Sequence, residues 1–159
     1  MRTAIVERRL DPSALLLEVV NAGNGAAILF IGTVRNVNDG KPVTGMEYSA
    51  YRGMAEKELE SIAREAVARF DTNDIVVEHR LGVLVLGEVS VVIAVAHPHR
   101  GKAYDASRYV IEELKKRVPI WKLEHYVDGS REWVDPTRNV GRRASEVIGV
   151  VSAEGPARD

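Results

Sequence analysis

The chain has 159 residues, 45% of them hydrophobic and 28% charged, with a formal net charge of -1 and no cysteine. That length and balance suit one compact domain with its own core and exclude a disordered, fibrous or coiled-coil protein. The missing thiols exclude a disulfide framework, a thiolate metal site and a cysteine nucleophile, and the near-zero charge offers no bulk attraction for nucleic acid.

No apolar run approaches the roughly 18 to 20 residues that cross a bilayer, and the start of the chain has no signal-peptide pattern, so a cytoplasmic location is expected. Thr3 to Glu7 reads as a short strand. Asp11-Pro12 offers a capping carboxylate followed by the residue best tolerated in a first helical turn, which predicts a helix to about Asn21 with Leu15, Leu16, Val19 and Val20 inward. Ala26 to Val34 is apolar on both alternating faces, the pattern of a central buried strand. Turn formers crowd Arg35 to Pro42, so the chain should leave the sheet there and return at Val43 to Tyr51 as a hairpin with a mobile polar tip. Ala55, Leu59, Ile62, Ala63, Ala66 and Phe70 recur at helical spacing across Met54 to Phe70. Ile75 to Arg80 and Val89 to His97 read as strands, the second interior. A helix from about Ala103 must stop near Val118, because Pro119 disfavours helical geometry in its predecessor. Ile120 to Val127 then alternates as a strand, with a turn at Asp128-Gly129 and a short return through Trp133. Hairpins mixed with helices predict an α+β domain over residues 1–150, with 151–159 a flexible tail.

The stretch from Leu114 to Glu124 holds the densest candidate chemistry. Lys115 falls on the last helical turn and Lys122 on the next strand, where Ile120, Lys122, Glu124 and Tyr126 share a face; Pro119 sets the corner between the two amines. A lysine among other cations and apolar walls can act as a proton acceptor or nucleophile, and a charged one holds phosphate or a developing oxyanion. Spacing alone favours a simpler reading, in which Lys115, Lys116 and Arg117 complement a helix C-terminus. Arg35, with Thr33 on its face, ends a buried strand and is suited to presenting a guanidinium to an anion, or equally to solvent. His99 and Arg100 precede a helix start, where anions are favoured, although the sequence alone favours a surface turn. The four histidines form no compact ligand pattern, so no metal is expected. Neither a phosphate-binding loop nor a dinucleotide fingerprint is present.

Five blocks in register resemble the molybdopterin synthase large-subunit family: Phe30 to Asn36; Met46 to Tyr51 with Met54-Ala55; His79-Arg80-Leu81-Gly82 with Gly87-Glu88; His99-Arg100 with Ala103-Tyr104; and Leu114-Lys115 through Pro119-Ile120-Trp121-Lys122-Leu123-Glu124, closing on Gly129 and Trp133-Val134. The resemblance implies an α/β-hammerhead-like mixed sheet with packed helices and an additional small antiparallel sheet. It implies a homodimer within a heterotetramer, each end binding a small ubiquitin-like sulfur-carrier subunit whose Gly-Gly tail ends in a thiocarboxylate. The implied reaction is sulfur transfer from that tail to cyclic pyranopterin monophosphate, forming the molybdopterin dithiolene, with no cofactor. Lys115 and Lys122 match the family's catalytic lysines. Thr33, Val34, Arg35, His99, Arg100, Leu123 and Glu124 match positions that bind substrate. Leu123 stands where the family often has a second basic residue, and Thr137, with Arg138 adjacent, where it can supply an arginine across the dimer. Two rival readings are a module that docks ubiquitin-like tails without catalysis and an RNA- or nucleotide-binding domain using residues 99 to 124; the latter lacks paired aromatics on an exposed sheet.

Overall fold

A computed structural model describes residues 1–134, so the expected tail and the positions Thr137 and Arg138 lie outside the described residues. The chain runs β1 (Arg2–Val6), α1 (Pro12–Val19), β2 (Ala26–Thr33), β3 (Val37–Asn38), β4 (Lys41–Ala50), α2 (Arg52–Phe70), β5 (Ile75–Arg80), β6 (Gly82–Val85), β7 (Val89–His97), α3 (Arg100–Arg117), β8 (Ile120–Tyr126) and β9 (Arg131–Val134). One sheet has the order β1-β5-β7-β2, with β1 parallel to β5 and the other pairs antiparallel. The second sheet is antiparallel; β4 is flanked on one side by β8 and then β9, and it also pairs with β3 and β6. This is the expected α+β arrangement of a helix-covered mixed sheet beside an antiparallel one, although the antiparallel sheet, with five strands to the mixed sheet's four, is not the small addition expected.

The mixed sheet is apolar on both faces because helices cover both. Ala55, Leu59, Ile62 and Ala66 of α2 and Ala106, Val110 and Leu114 of α3 pack with Val77, Ile93 and Val95 on one face. Leu15 and Val19 of α1 meet Val76, Val92, Ala94 and Ala96 on the other. Asp11 begins α1 as expected, its carboxylate accepting a hydrogen bond from the Ala14 backbone N–H at 3.1 Å.

β7 is interior, as its sequence predicts, but β2 is an edge strand. Its two apolar faces are real, with Phe30 turned to the α2–α3 core and Leu29 to the α1 side. Apolar alternation reports what covers the faces of a strand, whereas centre or edge is a matter of which backbone groups are paired, and that leaves no mark on hydropathy. The tip between Arg35 and Pro42 contains a short hairpin of its own. Asn38 and Lys41 pair across Asp39 and Gly40, whose φ values are 47° and 77°, giving a two-residue hairpin with both central residues left-handed. β6 was not anticipated: four residues are too few for periodicity to register. Among the described residues no helix is long and apolar enough to cross a membrane.

Arg117 ties the two core helices together. Its guanidinium donates to Glu58 at 2.6 Å and to both carboxylate oxygens of Glu65 at 2.7 and 2.8 Å, while the Tyr109 hydroxyl donates to Glu65 at 2.6 Å. The guanidinium first, and then the Tyr109 hydroxyl, hold the Glu65 carboxyl down to about 2. Stability from this depressed group is complete above the ordinary carboxylate range and is lost as pH falls through the folded value. Because the pair is part-exposed, Arg117→Met should cost about 1 kcal/mol at neutral pH in urea unfolding. The gap from the parent should close as pH drops from about 4.5 to about 2.

Candidate active site

β2 stops at an irregularity between Gly32 and Thr33 that releases the chain from β7. A Cβ on Gly32 would lie 2.6 Å from Val91 Cγ1, so a side chain here would collide with Val91 unless that side chain shifted. Just beyond, the Val34 backbone N–H donates to Glu88 O at 3.1 Å, and the Gly87 N–H donates to Val34 O at 2.9 Å. The Val34 side chain is buried with Met46 and Leu84. Thr33 and Arg35 on either side of it are exposed, so the arginine leaves a backbone held by hydrogen bonds and packing.

The β3–β4 hairpin and β8 bring charged groups together beneath this point. Glu124 is fully buried, and its carboxylate is surrounded from two strands. Lys122 Nζ stands 2.8 Å from Oε1, the Tyr126 hydroxyl donates to Oε2 at 2.7 Å, and Asn38 Nδ2 donates to Oε2 at 2.8 Å. Oε1 accepts no well-oriented hydrogen bond, so Lys122 compensates it as a point charge and not through an aligned donor. Arg35 donates a long hydrogen bond, 3.4 Å, to Asn38 Oδ1. Burial pushes the Glu124 carboxyl up, but Lys122, Tyr126 and Asn38 together outweigh it and the group lies below the usual carboxylate range. Its carboxylate in turn pushes the Tyr126 phenol well up. Tyr48 of β4 lies directly opposite Lys122 of β8 and edge-on to His79, with ring centroids 5.2 Å apart. Burial raises Tyr48, a Ser90 hydrogen bond opposes the rise, and the Glu124 carboxylate and Arg35 guanidinium act on it more weakly in opposite directions. His79 itself is driven down to about 4 by burial, so it is a neutral wall and not a charge.

Lys115 is exposed on the last turn of α3. Among the described residues it has no ion-pair partner, whereas Lys116 binds Glu113 and Arg117 is held by Glu58 and Glu65. The two lysines stand on either side of the Pro119 corner, Lys115 exposed at the end of α3 and Lys122 partly buried on β8. Leu123 belongs to the opposite face of β8, in a cross-strand row with Glu47 and Trp133, so its side chain does not share the face of Lys122 and Glu124. His99 and Arg100 stand at the other end of α3. His99 caps no backbone group with its side chain; its own N–H donates to Nδ1 of the buried His97 at 2.8 Å. Fifteen residues of helix put Arg100 roughly 22 Å from Lys115. One chain thus assembles Arg35, Asn38, Glu124, Lys122, Tyr126 and Tyr48, and keeps the His99-Arg100 pair apart from them.

Asn38 escaped the sequence reading because it sits among turn formers whose composition speaks only of a turn. Tyr126 carried a usable signal in its alternation with Lys122 and Glu124. Among the described residues no group of three or more metal-ligating side chains comes together.

These features define a class: an α+β protein with a cation-rich acid–base cluster where its mixed sheet meets its antiparallel one. A family model described as MoaE protein matches residues 5–117, and the chain belongs to that family. It is 43% identical over 124 residues to the molybdopterin synthase catalytic subunit of Emericella nidulans, a match covering 78% of this chain and 64% of that protein. With the catalytic subunit of Halalkalibacterium halodurans it shares 44% identity over 133 residues, 84% of this chain and 85% of the other. The crystal structure of molybdopterin synthase from Staphylococcus aureus superimposes with a TM-score of 0.77 at 36% identity, covering 82% of this chain and 94% of that one. The chain spans about two thirds of the length of three fungal relatives, from 64% to 66%.

The ion pair at the centre of the site makes a direct prediction. Lys122→Ala leaves a buried carboxylate uncompensated and should lower stability by about 3 kcal/mol at neutral pH. Adding Glu124→Gln should recover most of that loss in urea unfolding; a double variant as unstable as the single one would show that the pair is not what Lys122 stabilises.

Proposed function

We propose that this chain is the catalytic subunit of a molybdopterin synthase, a cytoplasmic sulfurtransferase of molybdenum cofactor biosynthesis. It would take sulfur from the thiocarboxylated Gly-Gly tail of a small ubiquitin-like subunit and place it on cyclic pyranopterin monophosphate, building the dithiolene in two transfers. The observation that carries this reading is the Lys122–Glu124 pair, held at 2.8 Å against a fully buried carboxylate and linked through Asn38 to Arg35. A chain without cysteine needs its sulfur delivered by another molecule, which fits a tail-borne thiocarboxylate.

In this reading Lys122 stabilises negative charge developing on the tail's carbonyl oxygen and exchanges protons with it. Glu124 sets the position of Lys122. Lys115, uncommitted to an ion pair among the described residues, serves the same reacting groups from across the Pro119 corner. Arg35 takes the precursor's phosphate, with Thr33 beside it, Val34 anchoring the strand end and Leu123 contributing through backbone or packing. In each transfer the sulfur takes the place of an oxygen on the precursor, which departs as water or hydroxide, and the tail carbon takes an oxygen from water and leaves as a carboxylate.

His99 and Arg100 join this pocket only from a second copy of the chain. The length of α3 separates them from Lys115 by a gap that an arginine and a lysine stretched toward each other do not close. The open edge of β2, which has no strand partner among the described residues, is compatible with such a homodimer.

Mixing the chain with a thiocarboxylated small subunit and the precursor, then oxidising, should give molybdopterin fluorescence. Lys122→Ala should abolish it while the small subunit still co-purifies; retained turnover refutes the assignment, and binding without turnover in the parent favours a docking module. Hybrid dimers of Lys122→Ala and Arg100→Ala protomers should recover activity, because one of their two sites then draws both intact groups, one from each chain. No recovery would show that the pocket is not shared.

A further inference from the structure

The Asn38 side chain occupies a position that its place in a surface turn does not require. Its amide faces a donor on one side and an acceptor on the other: Oδ1 receives the Arg35 guanidinium at 3.4 Å, and Nδ2 donates to Glu124 Oε2 at 2.8 Å. Both neighbours demand the same orientation of the amide, since a guanidinium only donates and an ionised carboxylate only accepts. The two-residue turn at Asp39-Gly40 and the backbone pairing of Asn38 with Lys41 hold the residue's backbone in place. A hydrogen bond from Val43 N–H to Asn36 O at 2.8 Å closes the other end of the hairpin.

We propose that Asn38 is a positioning residue that holds the buried Glu124, and through it Lys122, in place beside the anion-binding Arg35, with the Tyr126 hydroxyl as the second clamp on the same carboxylate oxygen. The proposal rests on the catalytic role given to Lys122 above. Its consequence is directional. When Arg35 turns to an incoming phosphate, its long bond to Asn38 is the weakest link and is given up first, while the stronger Asn38–Glu124 bond persists and keeps the carboxylate, and with it Lys122, in place. The anion site can then fill without disturbing the lysine.

The groups around Glu124 make this positioning readable by pH. Lys122 and Tyr126 come from its own strand and Asn38 from β3. Glu132 lies directly across β9, and Lys41 of β4 sits 3.7 Å from Glu132 and over the Tyr126 ring. Tyr48 of β4 and Arg35 complete the surroundings. Asn38 is one of the groups that lower Glu124, so removing it should raise the carboxyl and move the acid limb of any Glu124-dependent activity to higher pH.

Asn38→Ala and Tyr126→Phe should each be assayed in the complex with thiocarboxylated small subunit and precursor. For Asn38→Ala we expect kcat to fall about tenfold to a hundredfold, the loss typical of a misplaced reacting group. KM for the precursor should change little, the acid limb should move up in pH, and small-subunit binding should stay at the parent level. Asn38→Asp, which sets a second carboxylate against Glu124, should move the limb further. An unchanged kcat and pH profile in Asn38→Ala would overturn the proposal. In the chain alone, the Glu124 carboxyl titration followed by carbon NMR should rise in both Asn38→Ala and Tyr126→Phe. A titration that stays at the parent value overturns the positioning role even where the complex makes no product, so a failure of this inference is separable from a failure of the functional reading.

Discussion

A carboxylate with no exposed surface has to be compensated, and much of the second sheet is arranged around meeting that demand for Glu124. An unpaired buried charge costs several kcal/mol, a large share of the 5–15 kcal/mol that holds a typical domain folded. Lys122 on the same strand, Tyr126 two residues further on and Asn38 from the neighbouring hairpin all converge on it. Such an arrangement adds little net stability over an apolar replacement, since the desolvation of both charges offsets their attraction. What it does supply is a lysine whose ammonium is held at one place on a rigid strand, which a positioned proton carrier requires.

The rest of the fold keeps that cluster at a boundary. Helices cover both faces of the mixed sheet, so that sheet is occupied with the core; the antiparallel sheet is left to carry polar chemistry. The bulge at the end of β2 and the Glu88–Val34 backbone bonds place Arg35 where the two sheets meet. The same rigidity sets a limit. α3 is a straight connector between the His99-Arg100 end and the Lys115 end, and a helix of that length does not bend its two ends into one pocket. A site that needs both ends is a site built from two chains.

Elsewhere, charge is used for cohesion. Arg2 and Arg8 both reach the fully buried Glu78, at 2.8 Å each, on the α1 side of the mixed sheet. Arg117 spans α2 and α3. Lys115, two residues away on the same helix, has no ion-pair partner among the described residues and takes no part in that tie.

Periodicity was enough to place α2, β5, β7 and β8, because burial on a helix stripe or a strand face writes itself into the spacing of apolar residues, and the Asp11-Pro12 start of α1 was legible because capping is local. The alternation of Lys122, Glu124 and Tyr126 on one face was legible for the same reason. The edge position of β2, the short β6 and the tight pairing of the Asn38 hairpin were not, since strand order and backbone pairing depend on partners distant in the chain. The contacts of Asn38 belong to tertiary structure alone, whereas the separation of Arg100 from Lys115 follows from the length of α3, a helix legible in the sequence. A turn residue gains its function from what another strand places beside it, here one 86 positions away, and the length of a helix decides which ends can meet.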